Sequence, residues 1–212
     1  IPMFQEQYPY ITVEGTYDSS GKLQTQIEEG LEADLFFSAA TKQMDALKEE
    51  GFMAEDSIVD LLENKIVLIV PTGQTEGYSV FEDMAKAATP ALGDPASVPA
   101  GQYAQEALTN LGLWDQVSQK ASFGTNVTEV LNWVSQGSAE AGIVYATDAA
   151  TQKDKVEVVA QAPEGSLAEP VIYPVGVLEK SQHTEEANLF LEFLQSEEAA
   201  QVFEDYGFAM NQ

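Results

Sequence analysis

Three short stretches carry the residue types from which an anion site can be built without a cation. They are "SSG" at 19–21, "PAG" at 99–101 and "TNV" at 125–127. Each places small or hydroxyl-bearing residues where a strand or loop gives way to a helical pattern. The first turn of a helix leaves backbone N–H groups unpaired and carries a partial positive charge of roughly half an electron. Several such ends converging on one point would hold an oxyanion through neutral donors alone. Taken singly, each is an ordinary helix cap, and only convergence makes a site of them. Such a site is compatible with a chain that has 35 acidic and 9 basic residues and a formal charge of −26. Surface charge keeps a protein soluble, whereas short neutral donors act at contact distance.

The elements that must position these stretches follow from periodicity. "YITVEGTY", 10–17, alternates apolar and polar residues and predicts a strand. A helix is predicted over 22–29, with Gly30 at its C′ position. "ADLFFSA", 33–39, reads as a short buried strand, and "TKQMDALKEEG" as a helix from Thr41 closed by Gly51. "NKIVLIVP", 64–71, is a continuous β-branched run of the kind buried on both faces of a parallel sheet. The polar "TGQTEGYS" after it suits a crossing between two lobes, and "FEDMAKAA" reads as a helix. A loop then leads through Pro99 into a longer helix. "TNVTEVLNWVSQG" is a helix capped by Thr125 or Asn126 and closed by Gly137. "AEAGIVYATDAA" is a strand running into a loop and short helix, and "VEVVAQAP" and "PVIYPVGVLE" are further strands. The segment from Thr184 onward carries apolar residues at helical spacing. Strands alternating with helices of this length predict an α/β fold with largely parallel sheets.

Composition removes several function classes. No cysteine is present, so disulfides and thiolate chemistry are excluded, as fits an extracytoplasmic protein. Nucleic acid and anionic membrane surfaces call for basic clusters that the sequence lacks. The longest apolar stretch, "IVLIV" at 66–70, is too short to span a bilayer. His183 is the single histidine and sits in a polar loop, which argues against a direct cation site and against a Ser–His–Asp arrangement. Trp114 and Trp133 fall at apolar helix positions and are expected in the core. No carboxylate pair stands out from the many acids, so no enzyme is expected.

Longer motifs add a resemblance. "EEGLEADLFFSAATKQMDAL", "GDPASVPAGQYAQEALTNLGLWD", "AGIVYATDA", "YPVGV" and "AAQVFEDYGF" occur in order across nearly the whole chain. Together they resemble the periplasmic or lipoprotein molybdate-binding proteins of ABC transporters, the ModA type. The resemblance implies a type II periplasmic binding protein fold: two α/β lobes around a ligand cleft, with mixed, mostly parallel sheets flanked by helices. It places 1–71 with 170–212 in the first lobe and 72–169 in the second. It implies molybdate or tungstate as ligand, no cofactor, a membrane permease as partner, and an extracytoplasmic location. The oxyanion donors it implies are Ser20, the backbone N–H groups of Ala100 and Val127, and the Tyr145 hydroxyl, with Ser19, Gly101 and Asn126 as accessory positions. Without the resemblance, Tyr145 reads as a strand tyrosine packed in the core. The family's opening strand and its "AAS" turn have no counterpart in this sequence, which begins where the first family helix is ending. The same architecture serves as the sensing domain of transcription regulators, which would add a helix-turn-helix absent here. Receptors for other tetrahedral oxyanions form the nearest alternative.

Overall fold

The computed structural model describes residues 1–211. The chain forms two compact units. The first comprises Ile1–Leu62, Ile172–Asp205 and the residues from Ala209 onward; the second comprises Glu63–Val171 with Tyr206–Phe208.

In the first unit, a sheet of β1 (Leu35–Phe37), β2 (Val59–Asn64), β8 (Val171–Val177) and β9 (Ala209–Met210) runs in the order β1-β8-β2-β9. β1 pairs antiparallel with β8, Leu35 opposite Val177. The helices α2 (Ser20–Glu28) and α3 (Thr41–Glu49) bury Ile27, Met44 and Leu47 around Phe36 of β1, with Met53 and Leu178 closing that core. α1 (Pro2–Gln7) is held by Phe4, whose ring lies 4.9 Å from Phe190 on α8 (Thr184–Leu194). α9 (Glu197–Asp205) completes the unit. The helical periodicity from Thr184 is carried by two helices, α8 and α9.

The second unit is built on five strands in the order β5-β4-β6-β3-β7: β3 (Ile66–Pro71), β4 (Pro90–Gly93), β5 (Ser122–Gly124), β6 (Ala141–Tyr145) and β7 (Val156–Gln161). β4 lies parallel to β5 and β6, whereas β3 is antiparallel to β6 and β7. One face is covered by α6 (Val127–Ser135), whose Val130, Leu131 and Val134 pack with Val67, Ile69, Ala91 and Val144. α4 (Pro99–Asn110), α5 (Trp114–Ser118) and α7 (Ala146–Thr151) complete the surround.

Several expectations need correction. Residues 10–17 form no strand: burial alternates briefly, with Ile11 inside and Thr12 outside, but among the described residues no ladder partner runs alongside. β-propensity without a neighbour leaves only extended chain, and Tyr10 and Tyr17 stay exposed. β3 is buried throughout, as its composition predicts, but its neighbours are antiparallel. A run of Ile and Val signals burial on both faces, and strand direction leaves no mark in it. The first unit ends at Leu62 rather than Pro71, so β3 belongs to the second unit. Residues 72–79 likewise stay within that unit. Thr72 N–H donates to the Lys155 carbonyl at 3.0 Å, and Gly73 N–H to the Glu157 carboxylate at 3.3 Å. Phe81–Lys86 is a 3-10 helix, closed at its start by Asp83, which accepts from Ser79 and Val80 N–H. Trp114 and Trp133 are half-buried rather than core.

Candidate oxyanion site

The second unit assembles its donors by strand order. β4, β5 and β6 are parallel neighbours, so their C-terminal ends lie along one edge of the sheet, with Gly93 level with Gly124. That edge is where parallel sheets present ligand-binding loops.

β4 turns sharply. Asp94 N–H donates to the Gly124 carbonyl at 2.8 Å, and the Asp94 carbonyl accepts from Ser97 at 3.1 Å and Val98 at 2.8 Å. Pro99, with φ preset for a helix, opens α4. Ala100 and Gly101 follow in its first turn, where their N–H groups have no carbonyl four residues back within the helix. Gly101 must be glycine, because a Cβ there would overlap the Gly93 carbonyl. β5 leads into α6. Asn126 is the N-cap, its Oδ1 accepting from Glu129 N–H at 2.9 Å. The Glu129 carboxylate in turn accepts from Thr125 N–H at 2.7 Å and Thr125 Oγ1 at 3.1 Å. This reciprocal cap fixes the chain entry and leaves the N–H groups of Val127 and Thr128 for an outside acceptor. It also commits the Asn126 side-chain oxygen to the helix.

β6 ends at Tyr145, which is 3 % exposed and meets the ring of Tyr103 on α4 edge-on at 6.5 Å. Its backbone hydrogen-bonds the Asp148 carboxyl in the first turn of α7. Burial pushes the Asp148 carboxyl up to about 7, against the pull of that hydrogen bond. The arrangement in this unit brings Ala100, Gly101, Val127 and Tyr145 onto consecutive strand ends. Nothing in it is cationic, and it is suited to hold an anion by hydrogen bonds.

The first unit carries Ser19 and Ser20 at the start of α2. Ser20 Oγ accepts from Ala39 N–H at 2.9 Å, just beyond β1, which leaves its own proton to donate elsewhere. Ser19 N–H donates to Asp18 Oδ1 at 2.8 Å, and Lys22 Nζ lies 3.3 Å from the same oxygen. His183 is exposed, with Nδ1 3.4 Å from Asp34. Among the described residues, no group of three or more His, Asp or Glu could hold a metal ion, and no helix is long and apolar enough to cross a membrane. Sequence reasoning overlooked Gly93, Tyr103, Thr128 and Asp148. Only Gly93, which opens the "GDP" loop, left a readable signal.

Residues 1–209 match the bacterial extracellular solute-binding protein family. The chain belongs to this family. It is 43% identical over 205 residues to a putative ABC transporter substrate-binding lipoprotein, YvgL, of Bacillus subtilis strain 168, covering 97% of this chain and 78% of that protein. It is 38% identical over 215 residues to the molybdate-binding protein ModA of Haemophilus influenzae, covering 97% of this chain and 82% of that one. The solved substrate-binding domain of a putative molybdenum ABC transporter from Clostridium difficile is 38% identical, with a TM-score of 0.73, over 100% of this chain and 93% of that domain. The resemblance to ModA-type proteins and the α/β fold read from sequence both hold. The chain is a solute-binding protein, not an enzyme.

Proposed function

We propose that this solute-binding protein captures molybdate or tungstate through neutral hydrogen bonds and delivers it to the membrane permease of an ABC transporter, outside the cytoplasm. The observation that carries the reading is the alignment of three parallel strand ends, each followed by one donor: Ala100 N–H after β4, Val127 N–H after β5 and the Tyr145 hydroxyl on β6. Two helix N-termini of twelve and nine residues add their partial positive charge to the same sheet edge. The molybdate-binding relative and the molybdenum-transporter domain supply the choice of ligand within the oxyanion class.

In this reading Ser20 contributes a hydroxyl from the first unit, and Gly101 N–H supports Ala100. None of the named donors carries a positive charge. Each hydrogen bond to a charged oxygen is worth about 1.5–3 kcal/mol. Discrimination against sulfate, an equally charged tetrahedron, would rest on the room left for the longer metal–oxygen bonds.

Thermal melting of the chain with molybdate, tungstate, sulfate and phosphate tests this directly. A ligand that binds only the folded state raises Tm with the logarithm of its concentration. Molybdate and tungstate are expected to raise it and the other two to leave it unchanged. A shift with sulfate or phosphate alone would overturn the ligand, and no shift with any of the four would overturn the reading.

A further inference from the structure

We infer that Glu129, in the first turn of α6, holds the affinity for the oxyanion below what the neutral donors alone would give. The inference rests on the oxyanion reading above, in which Val127 N–H is a donor, and it concerns the second unit alone.

The donors proposed there are neutral, but the helix end that offers one of them is not. Glu129 is the acidic residue of the first turn of α6. Its Oε2 accepts from Thr125 N–H at 2.7 Å and from Thr125 Oγ1 at 3.1 Å. The same oxygen lies 3.5 Å from where a Cβ on Gly124 would stand, so the carboxylate sits over the last residue of β5. Thr125 and Val127 are two residues apart, at most about 7 Å of chain. The charge therefore stands within about 10 Å of the Val127 N–H. Among the described residues no lysine or histidine pairs with it.

Capping explains the hydrogen bonds of Glu129 and leaves its charge unexplained. A reciprocal cap needs an acceptor at the third helical position, and glutamine fills that place as glutamate does. A carboxylate adds a full negative charge to a helix end whose partial positive charge attracts anions. A dianion at Val127 must share that field with Glu129. The two repel over a distance comparable with the screening length, about 8 Å at physiological salt. The bound ion is held less tightly as a result. A carrier must surrender its cargo as well as capture it, and a built-in repulsion eases that step.

Glu129→Gln keeps an acceptor oxygen for both Thr125 contacts and removes the charge. Glu76→Gln is the control. Ile66 stands opposite Tyr145 in the β3–β6 pair, so β3 leaves the sheet at the edge away from the donors, and the exposed Glu76 follows it there. Both variants are made in the full chain, and melting without ligand checks that each folds. Sodium molybdate affinity is measured by calorimetry in sodium chloride at about 10 mM and about 500 mM, which bracket strong and weak repulsion. Glu129→Gln is expected to bind molybdate about three- to tenfold tighter than wild type at the lower salt. The gain should fall below about twofold at the higher salt, while Glu76→Gln matches wild type at both. Unchanged or weaker binding by Glu129→Gln, or a gain that salt does not diminish, would overturn the inference. Equal tightening in Glu76→Gln would overturn it too, by assigning the effect to net charge. Failure of the wild-type chain to bind molybdate would overturn the oxyanion reading and the inference with it.

Discussion

Tyr145 closes β6 and opens α7 with its ring buried against Tyr103, so its hydroxyl can be removed without disturbing volume. Tyr145→Phe is expected to weaken molybdate binding about 10- to 100-fold, the worth of one hydrogen bond to a charged acceptor. Calorimetric affinity equal to wild type would show that this hydroxyl does not reach the ion. Asp148, one turn on, makes stability depend on pH. Its folded pKa of about 7 lies above the ordinary 3.8, so the folded chain holds a proton that the unfolded chain has released. Stability from this group therefore falls as pH rises from about 4 to about 7 and is level above that. Asp148→Asn should match wild type in Tm near pH 4 and exceed it at about pH 8. Parallel Tm curves across that range would rule the effect out. At this scale the sequence marks the stretches 19–21, 99–101 and 125–127 through their Gly, Pro and Asn, whereas the choice of Ser20, Ala100 and Val127 within them comes from family likeness. Tyr145 too is proposed through family likeness alone, because a tyrosine among Gly, Ile and Val looks like any core residue. Asp148 was lost among 35 acids, since burial is what distinguishes it.

Elements set the precision of the site through close approach. Gly93 at the end of β4 and Gly101 in α4 touch backbone to backbone, which places the Ala100 N–H at the strand end. Gly101→Ala would drive a methyl into the Gly93 carbonyl. It is expected to cost about 1–3 kcal/mol of stability, as overpacking does, and to weaken binding as well because α4 must back away. Denaturant unfolding and calorimetry on the same variant check both halves, and an unchanged midpoint would contradict the close packing. The helices were readable because their ends are punctuated: Gly51 and Gly137 follow α3 and α6 with φ of +77° and +73°, as a left-handed C′ position requires. The strands β4 and β5, four and three residues long, were not. Alternation cannot register over so few residues, and they are strands because β6 and each other supply the hydrogen bonds. Residues 10–17 fail in the opposite sense, with a clear pattern and no partner.

For the molecule as a whole, charge opposes the ligand. Nine lysines, no arginine and 35 acids surround a proposed dianion site, so the ion approaches against a repulsive field. The association rate for molybdate is expected to rise with salt from about 10 to 200 mM, as screening shortens the reach of that field. A rate that fell instead would reveal a local positive channel within the acidic surface. The α/β class was legible at this scale from alternating elements. The division at Leu62 was not, because β2 runs to Asn64 and β3 begins at Ile66, leaving no composition shift to mark the change of unit. That division carries a consequence for synthesis on the ribosome. Every strand of the second unit lies between Ile66 and Gln161, so that sheet can complete as soon as this stretch has emerged. Among the described residues β1 has only β8 beside it, and Leu35 must wait for Val177. The half that appears first from the tunnel is therefore the last to close its sheet, with a loop of more than a hundred residues to hold together meanwhile.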